Sequence, residues 1–173
     1  MPIVSGGPNA ANPHASPSER KLQAGDLLVV DWGAAFKHYI SDLTRTFAVG
    51  EVDAECRKIH MIVQEANAAG RSAGKPGMSC ASVDIAARGV IEKSGYGKYF
   101  THRTGHGVGM EAHEDPYMRG DNMQLLEVGM AYTVEPGIYL PNRNGARIED
   151  NVVITESGAE SLSDMPREIR VVG

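Results

Sequence analysis

Hydrophobic and polar residues follow a strand-like pattern in the first third of the chain. The run "DLLVVDW" at 26–32 is mostly apolar, and "HYISDLTRTFAV" at 38–49 returns with similar residues and ends at Gly50. These two runs predict a pair of strands joined by a short connection. A short strand over 3–5 is expected before them, followed by a polar loop over 6–20 that is rich in Gly, Pro, Asn and Ser.

Helix-like spacing replaces this pattern after residue 53. The spacing predicts a first helix over roughly 54–69, with Asp53 as its N-cap, and a second over about 82–94 that stops at Gly95. Apolar side chains recur at helical spacing in both, which gives each helix one face for the core. These faces consist of Cys56, Ile59, Ile62, Val63 and Ala66 in the first helix and of Val83, Ala86, Ala87, Val90 and Ile91 in the second.

The last third of the chain returns to strands after a loop-rich segment that begins with "YFTHRTGHGVGMEAHEDP" at 99–116. Two further strands are expected at 130–140 and 146–155, joined across "PNRNG". Strands, two helices and strands again predict an α+β domain with a largely antiparallel sheet.

Composition and charge exclude several classes of protein. The chain has 173 residues, of which 42% are hydrophobic and 23% charged, enough for a core in one domain. A net charge of −5 without a basic run argues against nucleic-acid binding. We expect no membrane span and no signal peptide, because no apolar stretch is long enough. Cys56 and Cys80 indicate no disulfide framework, so we expect a reducing, cytoplasmic setting.

Two carboxylates lie in the otherwise apolar strands of the first hairpin. If the turn centres on 36–37, Asp31 and Asp42 are directly opposed, with Cβ atoms about 4.5–5.5 Å apart. Opposed like charges are destabilising, and buried carboxylates without partners take up protons rather than stay charged. The hairpin therefore predicts either a different register or a positive group between the two side chains.

The second hairpin repeats this arrangement. Glu135 and Glu149 are opposed if its turn centres on Asn142. Two divalent cations about 3.5–4 Å apart would balance the charge of both carboxylate pairs. Alternatively, each carboxylate faces solvent or forms a salt bridge, and spacing alone leaves both readings open. The counter-ions available for such salt bridges are Arg45, Arg147 and Lys37.

Three histidines follow in "HRTGHGVGMEAHEDP" at 102–116. His106 lies between two glycines, which allow the backbone to approach a site closely. Imidazole beside carboxylates suits a catalytic Mn, Fe, Co or Zn ion. His113 is close enough in sequence to reach the same cavity as an outer-shell donor, and His14 lies on the early polar loop.

The candidate ligands and their settings resemble a known family, the pita-bread metallopeptidases. The matching stretches are "VDWGA", "SDLTRT", "GHGVG", "VEPGIY" and "RIEDN", and the resemblance runs from about Ile3 to the C-terminus. The family comprises methionine aminopeptidase, Xaa-Pro aminopeptidase and Xaa-Pro dipeptidase (prolidase). "YISDLTRTF", "THRTGHGVGMEAHEDP" and Arg147 resemble the Xaa-Pro branch. The resemblance implies the pita-bread fold, a curved and largely antiparallel sheet with outer helices.

The resemblance also implies a ligand set for two divalent metal ions. Asp31 binds one ion through both oxygens, Asp42 and Glu149 bridge the two ions, and His106 and Glu135 complete the second. Manganese is the expected metal, with cobalt, zinc or iron as alternatives.

Further residues receive roles in catalysis and in binding of a short peptide from the same resemblance. Glu135 shuttles a proton to the leaving nitrogen. His113 donates to the scissile carbonyl oxygen or to the gem-diolate formed from it, and His14 contacts the substrate near the leaving residue. Arg147 either holds a substrate carboxylate or orients Glu149. The remaining expected pocket-lining residues are Tyr39 and His102.

The family's catalytic domains begin with helices ahead of the first strand of this chain, and the longer enzymes add an N-terminal domain. We therefore expect residues 1–173 to be an N-terminally truncated catalytic domain, with an exposed apolar face that favours a homodimer. The expected activity is hydrolysis of the peptide bond preceding proline. Two alternatives remain at this point: a methionine aminopeptidase, and a non-catalytic peptide-binding module or inactive fragment of the same fold.

Overall fold

Eleven β-strands and two α-helices form the part of the chain that the computed structural model describes, residues 2–173. The first strands are β1 (Ile3–Gly6), β2 (Leu27–Phe36) and β3 (Tyr39–Val49), and the helices are α1 (Ala54–Ala73) and α2 (Cys80–Lys93). The later strands are β4 (Gly105–Gly107), β5 (Glu114–Met118), β6 (Ala131–Val134), β7 (Gly137–Leu140), β8 (Asn144–Arg147), β9 (Asp150–Thr155), β10 (Gly158–Ser161) and β11 (Arg170–Val172).

The strands form three sheets. The first has the order β1-β2-β3-β11, the second β10-β9-β6-β4-β5, and β7 and β8 form a two-stranded ribbon. Within residues 2–173, every pair of neighbouring strands is antiparallel except β11 and β3. The predicted α+β class with largely antiparallel sheets is therefore confirmed.

The first hairpin has a different register from the predicted one. Asp31 pairs with Thr44 and Asp42 pairs with Gly33, so the two aspartates are diagonal neighbours and the predicted direct opposition is wrong. The turn falls on Lys37 and His38, which both have positive φ values, 48° and 73°. Two consecutive residues of this kind match the twist of a tight hairpin. Because the register differs by two residues, both carboxylates stay on the same face.

The second hairpin keeps its predicted register but not its predicted continuity. Gly137 pairs with Arg147, as a turn centred on Asn142 requires. Each predicted long strand is broken into two, since β6 and β9 belong to the five-stranded sheet while β7 and β8 form the ribbon. Glu135 and Glu149 lie at these breaks, where the backbone leaves one sheet for another. Both carboxylates thereby reach the junction between the sheets.

The two helices are confirmed, although α1 continues past its predicted end and α2 begins before its predicted start. The Asp53 carboxylate accepts a hydrogen bond from the Cys56 backbone N–H (2.7 Å), and Gly95 follows α2 with a φ of 83°. The core lies in two clusters that the helices help to form. The first includes Leu27, Ile59, Val63, Ile91, Ile138 and Ile148, and the second Val83, Met118, Tyr132, Val134 and Ile154. Neither helix in the described chain is both long and apolar enough to cross a bilayer.

Candidate metal centre

A cavity of about 730 Å³ opens where the first hairpin meets β4 and the breaks in the second hairpin. All five predicted metal ligands line it: Asp31, Asp42, His106, Glu135 and Glu149. They come from five separate stretches of the chain, and the register of each hairpin determines which face of its strands turns inward. The structure thus brings together the complete set of candidate ligands.

The donor atoms fall into groups whose members lie within 4.8 Å of one another. One group is Asp31, Asp42 and Glu149, and a second is His106, Glu135 and Glu149. Glu149 belongs to both groups. Asp42 also spans the two, because its Oδ2 lies 3.9 Å from His106 Nε2. This arrangement fits two neighbouring cations that share carboxylates.

Burial has opposite effects on the carboxylates and the histidine of the cavity. It raises the pKa of Asp42 to about 7, with Asp31 adding to the shift, and raises the pKa of Glu135 to about 8. Burial, then Glu135 and Asp42, raise the pKa of Glu149 well above its usual value. Burial lowers the pKa of His106 to about 4. The imidazole is therefore neutral, as a metal ligand must be. The carboxylates lack enough positive charge nearby to stay fully ionised.

The backbone around His106 determines which ring nitrogen faces the cavity. His106 Nδ1 lies 3.0 Å from the Gly107 carbonyl oxygen and donates to it, which leaves Nε2 unprotonated and 3.4 Å from Glu135 Oε1. A side chain at Gly105 would collide with the Thr133 carbonyl oxygen, and one at Gly107 with the backbone of β5. The two glycines are thus required by the close packing of β4 between its neighbours.

Thr44 and Arg45 fix Glu149, although sequence reasoning gave neither residue this role. Thr44 is fully buried, and its Oγ1 donates to Glu149 Oε2 at 2.6 Å. Arg45 donates to the Glu149 carbonyl oxygen (2.7 Å) and to the buried carboxylate of Asp150 (2.7 Å). Arg45 is therefore the counter-ion of Asp150 rather than of the cavity carboxylates. Both residues were visible in "SDLTRTF", but only the contact between β3 and β9 reveals what they do.

Arg147 contacts a different carboxylate from the one expected. Its guanidinium donates to Asp31 Oδ2 (2.6 Å), to the Tyr139 hydroxyl (3.0 Å) and to the Pro13 carbonyl oxygen (3.2 Å). It reaches Glu149 only through Thr44, whose Oγ1 lies 3.3 Å from Arg147 Nε. These contacts favour orientation of ligands over capture of a substrate carboxylate.

The remaining predicted residues divide into those inside the cavity and one outside it. His14, His102 and His113 all line the cavity. The His113 ring packs edge-on against His106, with centroids 4.2 Å apart. Tyr39 does not line the cavity in the described chain, and 66% of its surface is exposed at the hairpin tip. Ile40 shares the inward face with Asp42, so alternation along β3 turns Tyr39 the other way.

A cluster of four carboxylates and one imidazole in a sheet-lined cavity is typical of a metal-dependent hydrolase. The model of metallopeptidase family M24 matches residues 1–156, and the chain belongs to this family. It is 46% identical to a probable dipeptidase PepE of Mycobacterium tuberculosis, over 98% of the chain and 46% of that protein. It is also 46% identical to a Xaa-Pro dipeptidase of Pyrococcus furiosus, over 96% of the chain and 48% of that protein.

Solved structures of peptidases share the fold of this chain. A dipeptidase from Pyrococcus horikoshii OT3 matches 99% of the chain, and 48% of its own length, with a TM-score of 0.97 and 46% identity. A prolidase from Thermococcus sibiricus matches 99% of the chain, and 47% of its own length, with a TM-score of 0.97 and 45% identity. The predicted pita-bread fold is confirmed. The chain spans about half the length of these relatives.

The pKa shifts predict how the stability of the metal-free chain depends on pH. A carboxylate whose pKa is higher in the folded state stabilises the fold below its unfolded value and loses this effect as pH rises through the folded value. An unfolded histidine still loses about half a charge above pH 6.5, which opposes this trend only weakly, so the carboxylates dominate. We expect the melting temperature of the chelator-treated chain to fall by a few degrees from pH 6.5 to 8.5. Thermal melts should show a weaker fall in Glu135→Gln, and an unchanged slope in that variant would contradict the assignment.

Proposed function

We propose that this chain catalyses the metal-dependent hydrolysis of the peptide bond preceding proline. The observation that carries the proposal is the convergence of five metal-binding side chains on one cavity, in two donor groups that share Glu149. The choice of substrate is supported by similarity to proteins named Xaa-Pro dipeptidase and prolidase at 45–46% identity.

In this proposal two divalent ions occupy neighbouring positions. Asp31, Asp42 and Glu149 would hold one, and His106, Glu135 and Glu149 would hold the other, with Asp42 close enough to contribute to both. Mainly carboxylate ligands with a single imidazole favour manganese, and cobalt, zinc or iron are the alternatives. When bound, such ions supply a hydroxide nucleophile near neutral pH and polarise the scissile carbonyl.

The chain's own groups would then handle protons and orientation. Glu135, which lies in the cavity within reach of the other candidate ligands, would transfer a proton to the leaving nitrogen. Burial and then Arg103 lower the pKa of His113, so it would donate to the substrate carbonyl oxygen as a neutral imidazole. His14 would contact the substrate from the loop that borders the cavity. Arg147 would hold Asp31 in place.

A substrate comparison separates this function from its alternatives. We expect the chain loaded with Mn²⁺ to hydrolyse Ala-Pro and to leave Met-Ala peptides largely intact, with chelation abolishing turnover. Release of free amino acids, followed by chromatography, measures both reactions. Preferential cleavage of Met-Ala would indicate a methionine aminopeptidase, and bound Mn²⁺ without any turnover would support a binding module or an inactive fragment. The predicted homodimer and cytoplasmic location stay predictions.

A further inference from the structure

A salt-bridged pair on α2 holds the segment that leads into β4. The Asp84 carboxylate accepts from two guanidinium nitrogens of Arg88, both at 3.0 Å. Arg88 also donates to the carbonyl oxygens of Phe100 (3.1 Å) and His102 (2.8 Å), and its guanidinium stacks over the Phe100 ring. The pair is thus bound to the backbone of a loop as well as to itself.

The same carboxylate accepts two hydrogen bonds from Thr104, which lies further along this segment. Asp84 Oδ1 accepts from the Thr104 backbone N–H (3.1 Å) and from the Thr104 hydroxyl (2.7 Å). Asp84 is 3% exposed and Thr104 is fully buried. A carboxylate can accept all four of these hydrogen bonds, whereas an amide has one oxygen and an NH₂ group that cannot accept. The site therefore favours the charged side chain, because an amide that kept the bonds from Thr104 would turn its NH₂ group towards Arg88 Nε, and both of these groups donate.

Thr104 connects this pair to the metal centre. Its carbonyl oxygen accepts the backbone N–H of Glu135 at 2.7 Å, and His106 lies two residues further along the chain. One side of Thr104 is therefore held by α2 together with the Met118 carbonyl oxygen of β5, which accepts the same N–H at 2.9 Å, and the other side fixes the backbone of a candidate ligand. His106 Nε2 lies 3.4 Å from Glu135 Oε1. A small displacement of Thr104 therefore changes the distance between these two donor atoms.

We propose that Asp84, with Arg88, is a positioning pair that sets the separation of His106 and Glu135 and so tunes the affinity for the metal ion that these two residues share. The proposal rests on the metal centre described above. Partners beyond the ligands commonly change metal affinity by about 10–100-fold when they are removed. Asp84 does not line the cavity, and it would act through Thr104 and, with Arg88, through the loop that holds Phe100 and His102.

Metal affinity tests this role separately from catalysis. The metal-stripped full chain is titrated with Mn²⁺ by calorimetry, well below the melting temperature of every variant. We expect Asp84→Asn to bind one of two Mn²⁺ ions about 10-fold or more weakly. Thr104→Val, which replaces the hydroxyl with a methyl group, should weaken binding of the same ion, and Thr104→Ser, which keeps the hydroxyl, should keep wild-type affinity. The second pair of variants keeps the test decisive if Asp84→Asn does not fold.

Asp26→Asn is the matched control. Asp26 is also buried, accepts two hydrogen bonds from one arginine, Arg20, and binds a backbone N–H, that of Gln23, but it does not line the cavity. It should lose thermal stability and keep wild-type Mn²⁺ affinity. Wild-type affinity in both Asp84→Asn and Thr104→Val, or no Mn²⁺ binding by the wild-type chain, would overturn the proposal. Failure of the proposed function is a different result, namely Mn²⁺ binding without hydrolysis of Ala-Pro.

Discussion

Glu149→Gln should abolish hydrolysis of Ala-Pro and weaken Mn²⁺ binding by at least about 100-fold, since a ligand matters more than the outer partners whose loss costs about 10–100-fold. Glu149 is the side chain common to both main donor groups, so its neutralisation affects both ions. An amide also cannot supply the two negatively charged oxygens with which one carboxylate binds two cations. Calorimetric titration and a peptidase assay on the same preparation measure the two effects.

Asp42→Asn should behave in the same way, because Asp42 also reaches both donor groups. Asp26→Asn provides a control with a neutralised buried carboxylate outside the cavity. It should keep both Mn²⁺ affinity and activity at temperatures where it is folded. Unimpaired turnover by Glu149→Gln or Asp42→Asn would rule out the shared role of that residue.

His113→Ala should lower kcat by roughly 10²–10⁴-fold, as expected for loss of an acid–base or oxyanion donor, and should keep Mn²⁺ bound. The ring lies at the cavity wall against His106, close to where a substrate carbonyl would approach the ligands. Steady-state kinetics combined with Mn²⁺ titration tests both parts of this expectation.

Loss of metal by His113→Ala would indicate a different role for His113. Donor atoms of Asp42, His106 and His113 lie within 4.8 Å of one another, so His113 has the geometry of a ligand as well as of a proton donor. Loss of one Mn²⁺ ion in His113→Ala would therefore reassign it as a ligand. His38→Asn serves as a control, since His38 is exposed in the hairpin turn, where Asn tolerates a positive φ.

The sequence predicts features of the site that depend on spacing within one hairpin. Glu135 and Glu149 follow from the position of a single turn, and the structure keeps that register. The register of Asp31 and Asp42 was wrong because several turn positions fit the sequence between them, and only the backbone angles of Lys37 and His38 decide. The aspartates nevertheless share a face, because the difference is an even number of residues.

Contacts between distant segments could not be predicted in this way. Thr44 meets Glu149 only because β3 and β9 are brought together by the packing of two sheets. Asp84 reaches Thr104 from a helix whose apolar periodicity says nothing about which loop it faces. The short strands β4, β5, β10 and β11 were also missed, because runs of three to five residues carry too little periodicity.

In the proposed site, a pair of divalent cations holds the clustered carboxylates together. The most direct test is a crystal soaked in Mn²⁺ with anomalous diffraction data. We expect two anomalous peaks in the cavity, one beside Asp31, Asp42 and Glu149 and one beside His106, Glu135 and Glu149. The absence of any peak in the cavity, or Mn²⁺ bound only outside it, would rule out this arrangement.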